Sequence, residues 1–116
     1  MIFISTIGFV MPTPIEIEQK LTAIITDLAN ELISLTPEFM NVIEFEIVST
    51  SDGGADIGLM ETHPEVKNVA LSPEVYQLCS QYLPLVKQLA QGWQRSLITL
   101  KEGDGNWNIT LDHEYR

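Results

Sequence analysis

The sequence predicts an α+β domain, in which two helices pack on one face of an antiparallel sheet built from two hairpins. Three observations lead to this fold class: two amphipathic helical stretches, two pairs of strand-like runs, and a glycine-containing turn inside each pair. The predicted order is helix, hairpin, helix, hairpin. Because a sheet with one apolar face needs a covering layer, the apolar stripes of the helices are expected to bury that face.

The first helix is predicted over residues 14–35. Thr13 suits the N-cap, Pro14 the first helical position, and Glu16 completes a capping box. Pro37 ends the helix, because the residue before a proline disfavours helical geometry. The apolar residues fall at spacings of three and four and form one stripe, comprising Ile17, Leu21, Ile24, Ile25, Leu28, Leu32 and Leu35.

The first hairpin is predicted from strands over residues 42–49 and 55–61, joined by a turn that contains Asp52 and two glycines. In the first strand Phe45 alternates with glutamates, so one face is apolar and the other acidic. The second helix is predicted over residues 73–91, with Ser72 at its start and Pro84 expected to kink or split it. Its apolar stripe comprises Val75, Leu78, Cys79, Tyr82, Leu85, Val86 and Leu89.

The second hairpin is predicted from strands over residues 96–102 and 107–114. The run from Gly103 to Asn106 is a typical turn, and the apolar residues from Trp107 onward alternate with polar ones. The predicted core gathers the inward positions of all these elements: Leu21, Ile25, Leu28, Phe45, Ile47, Ile57, Leu78, Tyr82, Ile109 and Leu111.

The whole chain, residues 1–116, is expected to form a single domain. Residues 1–12 are expected to be an apolar arm or an extra strand, and a natural start at Met11 is an open alternative. The apolar run has no preceding basic residue and no small-residue cleavage pattern, so it does not fit a secretory signal. The lone cysteine, Cys79, allows no internal disulfide, which suits a reducing compartment such as the cytoplasm. Cys79 is expected to be a buried structural thiol.

Charge is the unusual feature of the composition. Sixteen acidic residues against six basic ones give a formal net charge of −10 and a pI near 4.3. A protein of this charge repels nucleic acids and anionic membranes, and it attracts basic proteins over a distance. A charge that only keeps the protein soluble is the alternative interpretation.

The residues predict no catalytic, metal or cofactor site. His63 and His113 are the two histidines, and each lies between acidic residues. Adjacent strand residues point to opposite faces, so Asp112, His113 and Glu114 cannot converge on one metal ion. No phosphate-binding loop or nucleophile motif is present. A non-enzymatic protein is therefore predicted, while an enzyme whose site forms only in three dimensions stays an alternative.

The acidic residues are segregated along the chain. Residues 21–66 contain no lysine or arginine. Within them Glu44 and Glu46 share the wet face of a strand, and Asp56 is expected on the equivalent face of the paired strand, with Glu61 nearby. These four carboxylates are the predicted partner-binding residues, on a strand face expected to carry one sign of charge.

The end of the chain resembles the YezG-like immunity proteins. A glycine turn precedes an aromatic residue and an asparagine, and the following strand closes on an acidic–aromatic pair; these residues are Gly105, Trp107, Asn108, Glu114 and Tyr115. The resemblance implies a small cytoplasmic bacterial protein that binds and neutralises a cognate toxin, often a nuclease.

The resemblance and the charge agree on the kind of partner. A nuclease holds a polyanion, so its cleft is basic and suits an acidic inhibitor. A small regulatory or assembly subunit that binds another basic protein is the alternative. The sequence leaves a homo-oligomer open.

Overall fold

The computed structural model describes residues 4–9, 15–89 and 92–115. Its elements, in chain order, are β1 (Ile4–Phe9), α1 (Ile15–Leu35), β2 (Val42–Ser49), β3 (Ala55–Leu59), a 3-10 helix (Pro64–Asn68), α2 (Pro73–Leu89), β4 (Trp93–Gly103) and β5 (Asn106–Tyr115). The strands form one sheet in the order β1-β5-β4-β2-β3. Strands β2 to β5 pair with one another in antiparallel fashion, and both helices pack on one face, which confirms the predicted fold class.

Helix α1 begins and ends close to its predicted limits. Its last turn is closed by Thr36, whose backbone N–H and hydroxyl both donate to the carbonyl of Leu32, at 3.2 and 3.0 Å. Because the Thr36 hydroxyl competes with backbone N–H groups for the Leu32 carbonyl, it favours the end of the helix at this point. Pro37 then prevents another helical turn. The predicted cap residues Thr13 and Pro14 lie outside the described part of the chain.

The turn between β2 and β3 is held by its aspartate. The carboxylate of Asp52 accepts hydrogen bonds from the Thr50 hydroxyl and from the backbone N–H of Gly54, the latter at 3.1 Å. Both hydrogen bonds lower the pKa of Asp52, and the bond from Thr50 has the larger effect. Gly53 has a φ of 89°, a conformation that glycine adopts without strain. Strand β3 then ends at Leu59, two residues before the predicted limit.

Helix α2 is one continuous helix that includes Pro84, so of the two effects expected of this proline, a kink or a split, the split does not occur. Pro84 lies on the exposed side of the helix, where water can hydrate the carbonyl that loses its backbone bond. Ser72 precedes the helix, and its hydroxyl donates to Glu31 of α1 at 2.9 Å. This bond ties the start of α2 to α1. Residues 90 and 91 of the predicted helix lie outside the described residues.

The second hairpin is longer than predicted at both ends. Its two-residue turn consists of Asp104 and Gly105, with φ values of 53° and 79°. Positive φ at both central positions is the turn geometry that matches the twist of the flanking strands. Strand β1 lies beside β5 and parallel to it, with Ile7 opposite Ile109. Residues 1–3 and 10–12, the rest of the segment expected as an arm or strand, lie outside the described residues.

The core lies between the helices and the inner face of the sheet. Eight of the ten predicted core residues are at most 1% exposed, and the other two, Ile57 and Leu78, are partly buried against the same cluster. Cys79 is buried as predicted, and desolvation raises the pKa of its thiol to about 12. A thiol with this pKa is a poor nucleophile at neutral pH.

We predict that Leu28→Ala or Ile109→Ala lowers the free energy of unfolding by roughly 2–5 kcal/mol, because each removes a fully buried side chain and leaves a cavity. Thermal or chemical denaturation measures this loss. Thr110→Ala, on the exposed side of β5 next to Ile109, is the control and is expected to change stability by less than about 1 kcal/mol. Equal losses at Thr110 and Ile109 would contradict the packing described above.

Candidate partner-binding surface

The predicted acidic residues lie on the sheet face that points away from the helices. Directly opposed residues of an antiparallel pair project from the same face. Glu46 lies opposite Gly58 on one side and Leu97 on the other, and Val48 lies opposite Asp56 and Arg95. We call this face the outer sheet face. On strands β2 to β5 its side chains are Val42, Glu44, Glu46, Val48, Asp56, Arg95, Leu97, Thr99, Lys101, Asn106, Asn108, Thr110, Asp112 and Glu114.

Three of the four predicted partner-binding residues lie on the outer sheet face, and the fourth lies outside the strands. Glu44, Glu46 and Asp56 lie on it. Glu61 follows β3 in a loop, where its carboxylate lies 3.3 Å from the ammonium nitrogen of Lys67. Both side chains are about two-thirds exposed, so this ion pair contributes little to stability, but it compensates the charge of Glu61.

The outer sheet face is not free of basic residues, which corrects the expectation drawn from the chain segment without lysine or arginine. Arg95 of β4 lies between two carboxylates: its Nε is 3.0 Å from Glu46 Oε2, and its Nη1 is 3.2 Å from Glu114 Oε1. The Arg95 side chain is 24% exposed, against 34% for Glu46 and 61% for Glu114. Strand β4, distant in sequence but paired with β2, thus supplies the positive charge that residues 21–66 lack.

The sign of the surface remains negative. The five carboxylates of the outer sheet face meet two basic side chains, Arg95 and Lys101, which leaves three negative charges uncompensated. Among the described residues, Glu44, Asp56 and Asp112 have no side-chain hydrogen bond or ion pair. These carboxylates are therefore available to a partner.

Sequence reasoning missed Arg95, Asp112 and Glu114 as members of this surface. The register of β4 with β5 places Asp112 opposite Leu97 and Glu114 opposite Arg95. The two-residue alternation from Trp107 already assigns Asp112 and Glu114 to the polar face of β5. Their closeness to Glu46 depends on strand order, which the alternation does not contain.

A buried polar cluster lies on the other side of the sheet, beneath α2. The Ser96 hydroxyl, completely buried, accepts hydrogen bonds from the Tyr82 hydroxyl at 2.8 Å and the Trp93 indole N–H at 3.0 Å. Its own proton then goes to Nδ1 of His113, 2.8 Å away. The hydroxyl thereby uses its donor and both acceptor positions. Ser96 is completely buried, so its hydroxyl is not exposed to solvent.

Two clefts lie near these surfaces. One, of about 620 Å³, lies at the end of the sheet beside Arg95, Glu114 and the β2–β3 turn. The other, of about 400 Å³, lies between β3 and α2. Within the described ranges, no set of three or more histidine, cysteine, aspartate or glutamate side chains is placed to hold a metal ion. None of the described helices has the length and hydropathy needed to cross a membrane.

No protein-family model matches the chain, and no curated protein matches it significantly.

We predict that His113 makes stability depend on pH. Burial lowers the pKa of His113 below its usual 6.5, and a protonated Nδ1 would meet a Ser96 oxygen whose acceptor positions are occupied. The unfolded chain therefore binds the proton first as the pH falls. The free energy of unfolding is then fully present above about pH 6.5 and decreases below it, by at most about 1.4 kcal/mol per pH unit.

Urea denaturation of the wild-type protein and of His113→Asn at pH 7.5 and 5.5 measures this effect. Asparagine keeps an acceptor for Ser96 but does not titrate, so the variant is expected to lose less stability than the wild type between these two pH values. The same loss in both proteins would exclude His113 as the source.

Proposed function

We propose that this protein is a non-enzymatic, acidic binding protein whose outer sheet face contacts a basic protein partner. More specifically, we propose that it is a cytoplasmic immunity protein that neutralises a basic, nuclease-type bacterial toxin. The observation that carries the proposal is the excess of three negative charges on a sheet face that none of the described helices covers.

A nuclease must hold a phosphate backbone, so its cleft concentrates lysine and arginine. Carboxylates at Glu44, Asp56 and Asp112 can take the place of phosphates in such a cleft. Opposite charges also accelerate association over distances of about 10 Å at ~0.1 M salt. Inhibition of this kind requires no catalytic residue in the inhibitor.

The outer sheet face also offers apolar contact area. Val42, Val48 and Leu97 lie between the charged side chains and are only partly buried. Specific interfaces commonly combine an apolar centre with a polar rim. A rigid antiparallel sheet presents both without rearrangement, which reduces the entropic cost of binding.

The resemblance to the YezG-like immunity proteins favours a toxin over other basic partners. It lies in the turn and last strand, at Gly105, Trp107, Asn108, Glu114 and Tyr115. Glu114 is also the residue that pairs with Arg95 on the outer sheet face. A toxin-domain gene next to the gene for this protein would favour the immunity function, and a gene for a basic subunit of an assembly would favour a regulatory one.

We predict that Glu44→Lys slows association with the neighbouring nuclease domain by about tenfold at low salt, because it reverses the charge of an unpaired carboxylate at the proposed interface. Asp27→Lys, an equal charge change at an exposed position of α1, is the matched control. Stopped-flow binding at several salt concentrations measures the rates, and thermal melting verifies that both variants fold. Equal rates for the two variants would remove Glu44 from the interface.

The opposite change is expected at Arg95. Arg95→Gln removes the positive charge between Glu46 and Glu114, so the outer sheet face becomes more negative. We predict a higher association rate and a steeper decrease of that rate with salt than in the wild type. A lower association rate in a folded variant would mean that Arg95 itself contacts the partner or orients the carboxylates.

A further inference from the structure

Strand β3 forms an edge of the sheet, and two hydrogen bonds show which of its backbone groups point outward. Among the described strands it pairs with β2 alone. Met60 N–H donates to the carbonyl of Glu44 at 2.8 Å, and Thr50 N–H donates to that of Gly54 at 3.1 Å. Because bonded positions alternate along an antiparallel strand, Asp56 and Gly58 also bond toward β2.

The intervening residues therefore present the free edge. The backbone N–H and C=O groups of Ala55, Ile57 and Leu59 point away from β2. Folded proteins usually protect such an edge with a proline, a lysine or a bulge. The five residues of β3, from Ala55 to Leu59, contain none of these devices. Among the described residues no strand pairs with this edge, so it can pair with a strand of another protein.

A cleft of about 400 Å³ runs beside this edge, between β3 and α2. It contains Tyr76, which is 56% exposed and is one of two large hydrophobic side chains exposed to this extent in the described part of the chain. The other, Phe39, has a neighbour in the His63 ring, 4.8 Å away between centroids. The cleft is lined by Ala55, Asp56, Ile57, Tyr76, Cys79, Ser80 and Leu83.

We propose that the β3 edge binds an extended segment of a basic protein by strand addition, and that this segment alternates apolar with basic residues. Backbone bonds to an edge supply affinity in this mode of recognition, and alternate side chains supply specificity. Strand addition at β3 requires only the edge geometry and the local charge, so any basic protein with such a segment could bind and the partner need not be a toxin.

The alternation follows from the two faces of β3. Partner residues opposite Ala55, Ile57 and Leu59 would project on the inner side, into the cleft beside Tyr76. Partner residues opposite Asp56 and Gly58 would project on the outer sheet face. There they meet the unpaired carboxylate of Asp56, and Gly58 lies opposite Glu46, whose Oε2 is paired with Arg95.

Gly58 makes room for a long basic side chain at this position. A Cβ atom at Gly58 would have no neighbouring atom within 4 Å, so the space above it is open. A lysine or arginine of the added strand can therefore extend over Gly58 toward the Glu46 carboxylate. Any larger residue at Gly58 would occupy part of that path.

Charge also argues against a second copy of this protein as the occupant. Antiparallel self-pairing centred on Ile57 would place the two Asp56 carboxylates diagonally on one face, between molecules that each carry a net charge of −10. In such a dimer the two Asp56 carboxylates would repel each other, and so would the two negatively charged molecules. A basic strand reverses both effects.

The test uses a ten-residue peptide of alternating valine and lysine, acetylated and amidated at its ends. One version carries N-methyl groups on the valines and a second carries them on the lysines, so composition and charge are equal. Strand addition turns one set of peptide N–H groups toward β3 and the other toward water. We expect affinities that differ by about tenfold or more by calorimetry.

Each outcome has a stated meaning. Weaker binding of the valine-methylated peptide indicates antiparallel addition, and weaker binding of the lysine-methylated one indicates parallel addition. Equal affinities, or no binding of the unmethylated peptide, would overturn the proposal. Because the protein is unchanged in these measurements, no folding defect can mimic the result.

Two measurements on the protein complete the test. Amide exchange at Ile57 is expected to slow at least tenfold when the unmethylated peptide binds, and Asp56→Lys is expected to weaken binding about tenfold while Asp27→Lys does not. Protection of Ile57 that rises with protein concentration alone, with a doubled mass in light scattering, would replace the basic strand by a second copy. Failure here leaves the outer-face proposal intact, because Glu44→Lys tests that surface separately.

Discussion

The pairing of β2 with β4 in the middle of the sheet is the constraint on which the rest of the structure depends. It sets Phe45 opposite Ile98 and Ile43 opposite Leu100, all at most 1% exposed beneath the two helices. The same register necessarily turns Glu44 and Glu46 to the other face, since side chains alternate along a strand. A shift by one residue would bury the glutamates and expose the core, at a cost of many kcal/mol, so core packing itself fixes the acidic surface.

Strand alternation and turn chemistry predicted most of this fold. The limits of β2 and the start of α2 match their predicted positions, because period-two and helical spacings together with Asp-Gly and Ser-Pro signals act locally. Pro84 shows where local rules fail: an exposed helix side tolerates the lost bond that was expected to split α2. The candidate surface was only half predictable. Glu44 and Asp56 follow from alternation, whereas Arg95 reaches Glu46 through strand order, which no local pattern encodes.

The packing at one end of the sheet differs from the packing at its centre. Near the start of β4 the core becomes polar, and the Ser96 hydroxyl forms hydrogen bonds with Tyr82, Trp93 and His113. The cluster leaves one buried atom, His113 Nε2, without a partner among the described residues. The missing hydrogen bond at Nε2 costs little free energy while the imidazole is neutral. It would cost more in the protonated imidazole, since a buried charge needs compensation. The sheet centre therefore provides stability, and this end is where we expect stability to depend on protonation.

Arg95 limits the cost of concentrating carboxylates on one sheet face. Five like charges on neighbouring strands would repel one another, and that repulsion would oppose the strand pairing that positions them. A single guanidinium between Glu46 and Glu114 relieves the repulsion where the carboxylates from β2 and β5 come nearest to β4. Glu44 on β2, Asp56 on β3 and Asp112 on β5 have no ion-pair partner among the described residues. In the proposed strand addition, Asp56 would place an uncompensated charge at the edge where backbone groups are also unpaired, so long-range attraction and strand pairing would act on the same edge.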